Sequence, residues 1–237
     1  MIRVGLVGFG LGGRVFHAPL ISSVEGLELA AVVERTTNHA AQRYPGITTY
    51  RTLDAMLADP TLGLIAVSTP SGTHFDLASQ VLKAGKNVVV DKPVAVTSAE
   101  IAELMRLAAK KNLLLAPFHE RRWDGDFLTL QKLLSEGSLG RLVHFESNHD
   151  RWRPVTRVLW KDDPAQGGGL LLDLGTHLAD QALLLFGKPE AVSAEVLSER
   201  NKALADDSYT LRLRYKDFSA TLSANCLASL ALSLIHI

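Results

Sequence analysis

Short apolar runs alternate with amphipathic stretches through the first half of the chain. Residues 2–7, 27–33, 47–50, 63–68, 87–90 and 112–116 read as strands, being brief and apolar or rich in β-branched side chains; 47–50 carries the weakest pattern. Between them, residues 52–59, 74–85 and 98–112 repeat apolar positions at helical spacing. Strand–helix alternation predicts a parallel sheet with right-handed crossovers and helices on both faces.

The pattern changes near Pro117. Residues 123–137 form an amphipathic helical stretch stopped by Gly137, and 142–150 alternate with Val143, Phe145 and Ser147 on one face. A Pro- and Gly-rich stretch leads into a helical run at 171–187. Strand patterns follow at 191–199, 208–215 and 218–226, the last two joined by Lys216-Asp217, a hairpin signal without the usual glycine. Consecutive alternating strands predict an antiparallel sheet with one open face. The expected organisation is an α/β domain over residues 1–118 and an α+β domain over 119–237. The last nine residues, 229–237, are apolar and lack turn chemistry. Residues 232–237, LSLIHI, can be read from a sequencing-library adapter, so the expectation is a non-native tail on a gene truncated at a contig edge, with a genuine C-terminal strand as the alternative.

Composition narrows the classes. Lys and Arg together number 25 and Asp and Glu 25, a balance that disfavours a polyanion such as nucleic acid as partner. A single cysteine, Cys226, excludes an internal disulfide and any cysteine-based metal cluster; no metal site is expected, and a reducing cytoplasm is the default setting. The N-terminal apolar run is punctuated by glycine and lacks a small-residue cleavage site, and no uninterrupted apolar stretch reaches the roughly 18 residues of a spanning helix, so no membrane partner is expected.

Candidate chemistry gathers at strand ends. Gly8-Phe9-Gly10-Leu11-Gly12-Gly13 follows the first strand and opens a helix, fitting G-x-G-x-x-G through Gly8, Gly10 and Gly13. Glu34 ends the second strand 21 residues beyond Gly13. That context points to a dinucleotide: a tight turn, close backbone approach to a pyrophosphate, and a helix N-terminus for the phosphates. Glu34 is expected to accept hydrogen bonds from the adenosine ribose, favouring NAD, while Arg35 beside it would attract the 2′-phosphate of NADP; the carboxylate tips the balance towards NAD. Thr69, Pro70 and His74 follow the fourth strand and Asp91-Lys92 the fifth, where ligands collect in a doubly wound sheet. By position alone Lys92 is equally readable as a solvated strand end. Gly169-x-x-x-Asp173-x-x-x-His177 places an acid and a histidine at i and i+4, on one helix face. Spacing alone favours a surface ion pair over a proton relay.

Taken together, G-x-G-x-x-G, S-T-P-S-G-T-H at 68–74, A-G-K-N-V-V-V-D-K-P at 84–93 and G-x-x-x-D-x-x-x-H resemble the Gfo/Idh/MocA oxidoreductases, in order, from residue 1 to about 226. FHAPL at 16–20, RRWDGDFLT at 121–129 and DRWRP at 150–154 resemble the bacterial branch that includes scyllo-inositol dehydrogenases. The resemblance implies a Rossmann-type domain followed by a large, mainly antiparallel open sheet, incomplete here, that usually builds a homo-oligomer. It implies hydride transfer between NAD or NADP and a polyol, cyclitol or sugar-like substrate. Lys92, Asp173 and His177 would be catalytic, with Asp173 orienting His177. Phe16, His119, Arg122, Trp123, Arg153 and Trp160 are candidates for lining the cleft. Three departures stand out: Asp91 replaces the Glu of E-K-P, Glu120 replaces an Asn, and Glu34-Arg35 stands where NADP-using relatives carry Ser-Arg. An NAD-dependent glycosidase of the same family and a redox-inert dinucleotide sensor remain as alternatives; methyl transfer leaves Lys92 and the Asp–His pair without a role.

Overall fold

The computed structural model describes residues 1–156, 160–229 and 233–236. The chain forms two compact units, Met1–Phe118 and His119–Ile237. The first runs β1 (Ile2–Val7), α1 (Ala18–Ser23), β2 (Leu27–Val33), α2 (His39–Arg43), β3 (Thr48–Tyr50), α3 (Leu53–Leu57), β4 (Leu64–Val67), α4 (His74–Lys83), β5 (Asn87–Asp91), α5 (Ser98–Lys111) and β6 (Leu115–Phe118). All strand pairs are parallel, in the order β3-β2-β1-β4-β5-β6. The order reverses between β1 and β4, the switch point where such sheets bind ligands.

Alternation along each strand covers both faces. Val7, Val33, Ile65, Val67, Val88 and Val90 face a core closed by Met56 of α3, Val81 and Leu82 of α4 and Leu104 of α5. Val4, Leu6, Val32 and Ala66 face the other way, against Ala18 and Ile21 of α1 and Ala40 of α2. Full burial of each such aliphatic side chain contributes about 1.5–3 kcal/mol. Helix α5 shows how local chemistry sets an element's ends. Thr97 accepts from the Glu100 N–H while Glu100 reaches back to the Thr97 N–H, a capping box. Asn112, at φ 53°, closes the other end in the left-handed region. Residue 112 is therefore a cap rather than the start of a strand, and β6 begins three residues later than the 112–116 pattern suggests.

The second unit contains α6 (Gly125–Ser135), β7 (His144–His149), a π-helical turn Leu171–Gly175 continuing into α7 (Thr176–Phe186), then β8 (Ala191–Leu197), β9 (Ser208–Arg214), β10 (Ser219–Asn225) and β11 (Ser233–His236). Its sheet runs β11-β7-β10-β9-β8, antiparallel except for the parallel pair β7–β10. The hairpin tipped by Lys216-Asp217 forms, and Tyr215 stacks on Phe218 at 4.6 Å beside it. Phe145, Tyr209, Leu213, Ala220 and Leu222 pack on Leu130 of α6 and on Leu170, Leu174, Leu178 and Ala182. Of the predicted β7 face, Phe145 and Ser147 are buried, whereas Val143 precedes the strand and is exposed. The fifth strand, β11, lies within the apolar tail; Leu232 and Ile237 fall outside the described residues. The helical run Pro164–Phe186 is long and apolar enough, by length and composition, to cross a membrane; its Leu170, Leu174 and Leu178 are buried in this core, while Leu183 and Leu184 are exposed.

Candidate functional site

The turn after β1 is closed at two glycines and open at a third. Gly8 has φ +94°, and a Cβ there would lie 2.3 Å from the Ser68 carbonyl oxygen. A Cβ on Gly13 would lie 2.2 Å from the Gly8 carbonyl oxygen, so no side chain fits at either position. Gly10 meets nothing within 4 Å, which leaves its backbone accessible to a ligand. Gly12, outside the strict motif, is crowded by side chains rather than backbone: its Cβ would lie 2.6 Å from Ser68 Oγ and 3.1 Å from Asp91 Oδ2. The helix after the turn begins as a π-helical segment, Gly13–His17. Leu11 is exposed, but the Phe9 ring is buried in the core, edge-on to Tyr44, so a side-chain contact of Phe9 with a ligand is corrected to a packing role.

Glu34 requires a larger correction. It is 5% exposed, and its carboxylate accepts from Thr37 Oγ1 at 2.6 Å, His39 N at 3.1 Å and Ala40 N at 2.8 Å. It therefore satisfies the free N–H groups at the start of α2 instead of facing a ribose. Arg35 is exposed. His74 is corrected too: it is buried, and its ring nitrogens lie 2.6 Å from the Pro93 carbonyl and 2.8 Å from the Thr69 carbonyl. It ties the segment after β4 to the segment after β5. Thr69 and Pro70 stay half-exposed, with the Thr69 hydroxyl 2.8 Å from that of Thr73.

Asp91 joins these segments to the glycine turn. It accepts from Lys92 N at 2.8 Å and Ser68 Oγ at 3.2 Å, and its Oδ2 lies 3.4 Å from His17 Nε2. Burial pushes the carboxyl up, but His17, the Lys92 N–H and the Lys92 charge outweigh it and hold Asp91 below the usual carboxylate range. The His17 ring rests on Phe118 at 4.1 Å. Lys92 itself is half-buried. Apart from FHAPL, nothing in the sequence marked His17, and nothing marked Ser68 as a partner of Asp91.

The second unit supplies the other predicted group. Gly169 has φ +122°, and a Cβ there would lie 2.1 Å from Asp206 Oδ1. Asp206 in turn accepts from Leu171 N at 2.7 Å and, through its carbonyl, from Leu170 N at 2.9 Å, fixing the start of the helical run. The motif glycine is thus explained by an aspartate far along the chain. Asp173 lies in the π-helical turn and His177 in α7, so the pair spans a helix junction and the regular i,i+4 geometry does not apply across it. Both Asp173 oxygens lie 3.0 Å from Lys161 Nζ. His177 is buried, and its Nε2 lies 4.0 Å from Glu120 Oε1, the unexpected carboxylate of the sequence. His119 crosses His177 edge-on at 6.3 Å and lies 3.7 Å from Asp180. Arg122 is locked onto Asp180 through two donors, at 2.7 and 2.5 Å, so it organises this cluster rather than standing free in a cleft; hydrogen bonding to Asp180 raises its guanidinium above the ordinary range. Trp123 and Arg153 are exposed, and Lys161 lies over the Trp160 ring at 5.4 Å. Phe16, in the first unit, is exposed. Among the described residues no group of three or more His, Cys, Asp or Glu is placed to hold a metal.

Comparison with known proteins follows this division. Residues 2–119 match the family model for the oxidoreductase family with NAD-binding Rossmann fold, and residues 127–234 match the GFO/IDH/MocA C-terminal domain. The chain belongs to the Gfo/Idh/MocA oxidoreductase family. Among Gfo/Idh/MocA relatives, the uncharacterised oxidoreductase YdgJ of Escherichia coli is 41% identical over 96% of this chain and 66% of its own length. The scyllo-inositol 2-dehydrogenase (NADP(+)) IolW of Bacillus subtilis is 38% identical over 93% of this chain and 62% of its own length. The solved structure of the oxidoreductase YvaA from Bacillus subtilis matches all of this chain with a TM-score of 0.92 and 36% identity, over 68% of that chain. The chain thus spans a little under two thirds of YdgJ and IolW. The cofactor class of the family, NAD or NADP, fits the residues present: the turn has room above Gly10 and none beside Gly8 and Gly13.

Proposed function

We propose that the whole protein is an NAD(P)-dependent oxidoreductase acting on a CH–OH group of a polyol, cyclitol or sugar-like substrate. The observation that carries this reading is the glycine turn at the β1/β4 switch point, packed solid at Gly8 and Gly13 and open at Gly10. Gly10, Leu11 and Gly12 would hold the dinucleotide's phosphates through backbone N–H groups. When bound, the nicotinamide supplies the hydride acceptor or donor. His177 takes the hydroxyl proton at a ring nitrogen during oxidation. Lys92 donates a hydrogen bond to the reacting oxygen and stabilises its developing negative charge. Asp91, through the Lys92 N–H, and His17 position the lysine's backbone. Asp173 orients His177 in this reading, and Glu120 places a second carboxylate at the His177 Nε2 edge.

IolW, by its name, acts on scyllo-inositol, and a Rhizobium meliloti relative at 28% identity is named inositol 2-dehydrogenase, which supports a cyclitol within the substrate class. A cytoplasmic setting and self-association through the second unit's sheet belong to the same proposal; β8, exposed along its whole length, is an edge available for it. The test is a panel of inositols and sugars offered with NAD⁺ and NADP⁺ to the full-length protein. Substrate-dependent cofactor reduction is expected. Release of sugar from an aryl glycoside without net reduction would replace this reading with glycosidase chemistry. Dinucleotide binding without turnover of any polyol would replace it with a sensor.

A further inference from the structure

The turn Glu120–Trp123 brings a carboxylate to His177 and holds it there. Arg122, the third residue of the turn, reaches Asp180 of α7 through two donors at 2.7 and 2.5 Å. The carbonyl of Arg121, the second residue, accepts from the Gln181 side-chain amide at 3.1 Å. Asp180 is three residues beyond His177, so the two lie on one face of α7. A turn tied to that helix at its second and third residues fixes its first: Glu120 Oε1 stands 4.0 Å from His177 Nε2.

The other charges around this point are paired with one another. Arg121 meets Asp124 at 3.2 Å, Arg122 meets Asp180, and Lys161 meets Asp173 at 3.0 Å. His119 Nδ1 lies 3.7 Å from Asp180. Among the described residues of the second unit, the ion-pair partner of Glu120 is His177, and that pair is ionic only while the ring is protonated. A His177 poised to take a proton is neutral. The Glu120 side chain, 29% exposed, is then a partly desolvated negative charge without a cation from its own unit. A cation arriving with the substrate supplies one. A neutral amide at the same place would accept from a hydroxyl without that requirement, so the charge of Glu120 is what discriminates. Two acceptors 4.0 Å apart also suit donors on neighbouring carbons of one substrate, the reacting hydroxyl facing His177 and its neighbour facing Glu120.

We infer that Glu120 is a specificity-determining residue that reads a protonated amine, so that the substrate is an amino-substituted polyol, cyclitol or sugar with the amine beside the reacting hydroxyl. This inference rests on the reading of His177 as the proton acceptor and adds the chemistry of the neighbouring substituent.

The experiment measures kcat/KM of the full-length protein, with NAD⁺ and NADP⁺, on the inositols and sugars of the substrate panel, each beside the analogue in which one hydroxyl is replaced by an amine, as glucose beside glucosamine. The best amine should exceed its hydroxyl counterpart by roughly tenfold or more, the size of a charge-assisted hydrogen bond. Glu120→Gln should collapse that ratio towards unity, and Glu120→Asp should restore it in part, because it keeps the charge at a shorter reach. Raising the salt concentration should shrink the preference in the parent protein. Hydroxyl substrates turned over as well as or better than their amines, or a ratio that Glu120→Gln leaves unmoved, would overturn the inference while the oxidoreductase reading stands. Absence of turnover with every hydroxyl compound and every amine would overturn that reading and this inference with it.

Discussion

The two units use the chain in different ways to build their share of the chemistry. In the first, the candidate site is mostly backbone: a turn whose glycines sit against the Ser68 and Gly8 carbonyls, and loops whose side chains, Glu34, Arg51 and His74, are used to hold other loops. In the second, it is a network of charged side chains from distant segments: Lys161 with Asp173, Glu120 beside His177, and Arg122 with Asp180. A backbone site is coded by residues that are adjacent in sequence, because the absence of a Cβ is itself the signal. A side-chain network is coded by partners that only folding brings together.

Predictions that break this comparison begin with the second unit. Asp207 is 1% exposed and accepts from Arg200 Nε at 2.9 Å and from the N–H groups of Glu199 and Arg200, while Arg200 reaches Asp162 at 2.8 Å. Asp207→Ala leaves the Arg200 guanidinium with Asp162 alone and takes the acceptor from the Glu199 and Arg200 N–H groups, and should cost about 3 kcal/mol. Chemical denaturation should show this loss, and a loss under about 1 kcal/mol would mean that the network is ornamental to stability. Next come the proposed reacting groups. His177→Ala and Lys92→Ala should each lower turnover by roughly a hundredfold or more, with little change in dinucleotide affinity measured by titration. Near-normal turnover in both would end the proposed roles.

The glycine turn gives an internal control. Gly13→Ala drives a Cβ to 2.2 Å from a carbonyl oxygen and should destabilise the first unit by roughly 2 kcal/mol or more. Gly10→Ala has open space and should leave the melting temperature almost unchanged while weakening dinucleotide binding. Equal effects of the two on stability would contradict the division between packing and ligand-facing glycines.

The smallest effect concerns pH. Asp91 is held below the ordinary carboxylate range in the folded chain. Its stabilisation is therefore complete above the unfolded-state pKa and is lost as pH falls through the lower folded value. Asp91→Asn should cost roughly 1 kcal/mol at neutral pH, with the gap from the parent narrowing in acid. A gap that widens on acidification would reverse the sign assigned to the His17–Asp91 pair.

Much of the first unit was legible from pattern. Apolar runs with alternate side chains on two buried faces, separated by amphipathic helices, leave a doubly wound parallel sheet as the economical arrangement, and even the weak 47–50 run became β3. Helix α2 was missed because five residues carry too little periodicity, and its start is specified by Glu34, outside the helix. In the second unit the hairpin and the helical run were legible. The strand at 233–236 was the alternative reading of the apolar tail; the π-helical turn carrying Asp173 was not legible, since it does not depart locally from α-helical pattern.

What the sequence by itself determined is where a backbone must come close to something: Gly8, Gly10 and Gly13 announce a turn, and hydrophobic period announces which faces are covered. What only the tertiary structure decided is which way each charge points. Glu34 ends a strand either way, but the exposed N–H groups of α2 are five and six residues on, and they capture its carboxylate. Asp173 sits four residues from His177, yet Lys161, from a segment with no motif, holds both its oxygens. A charged side chain settles on the strongest partners within reach in the fold, and reach is a property of three-dimensional packing, which spacing along the chain does not measure.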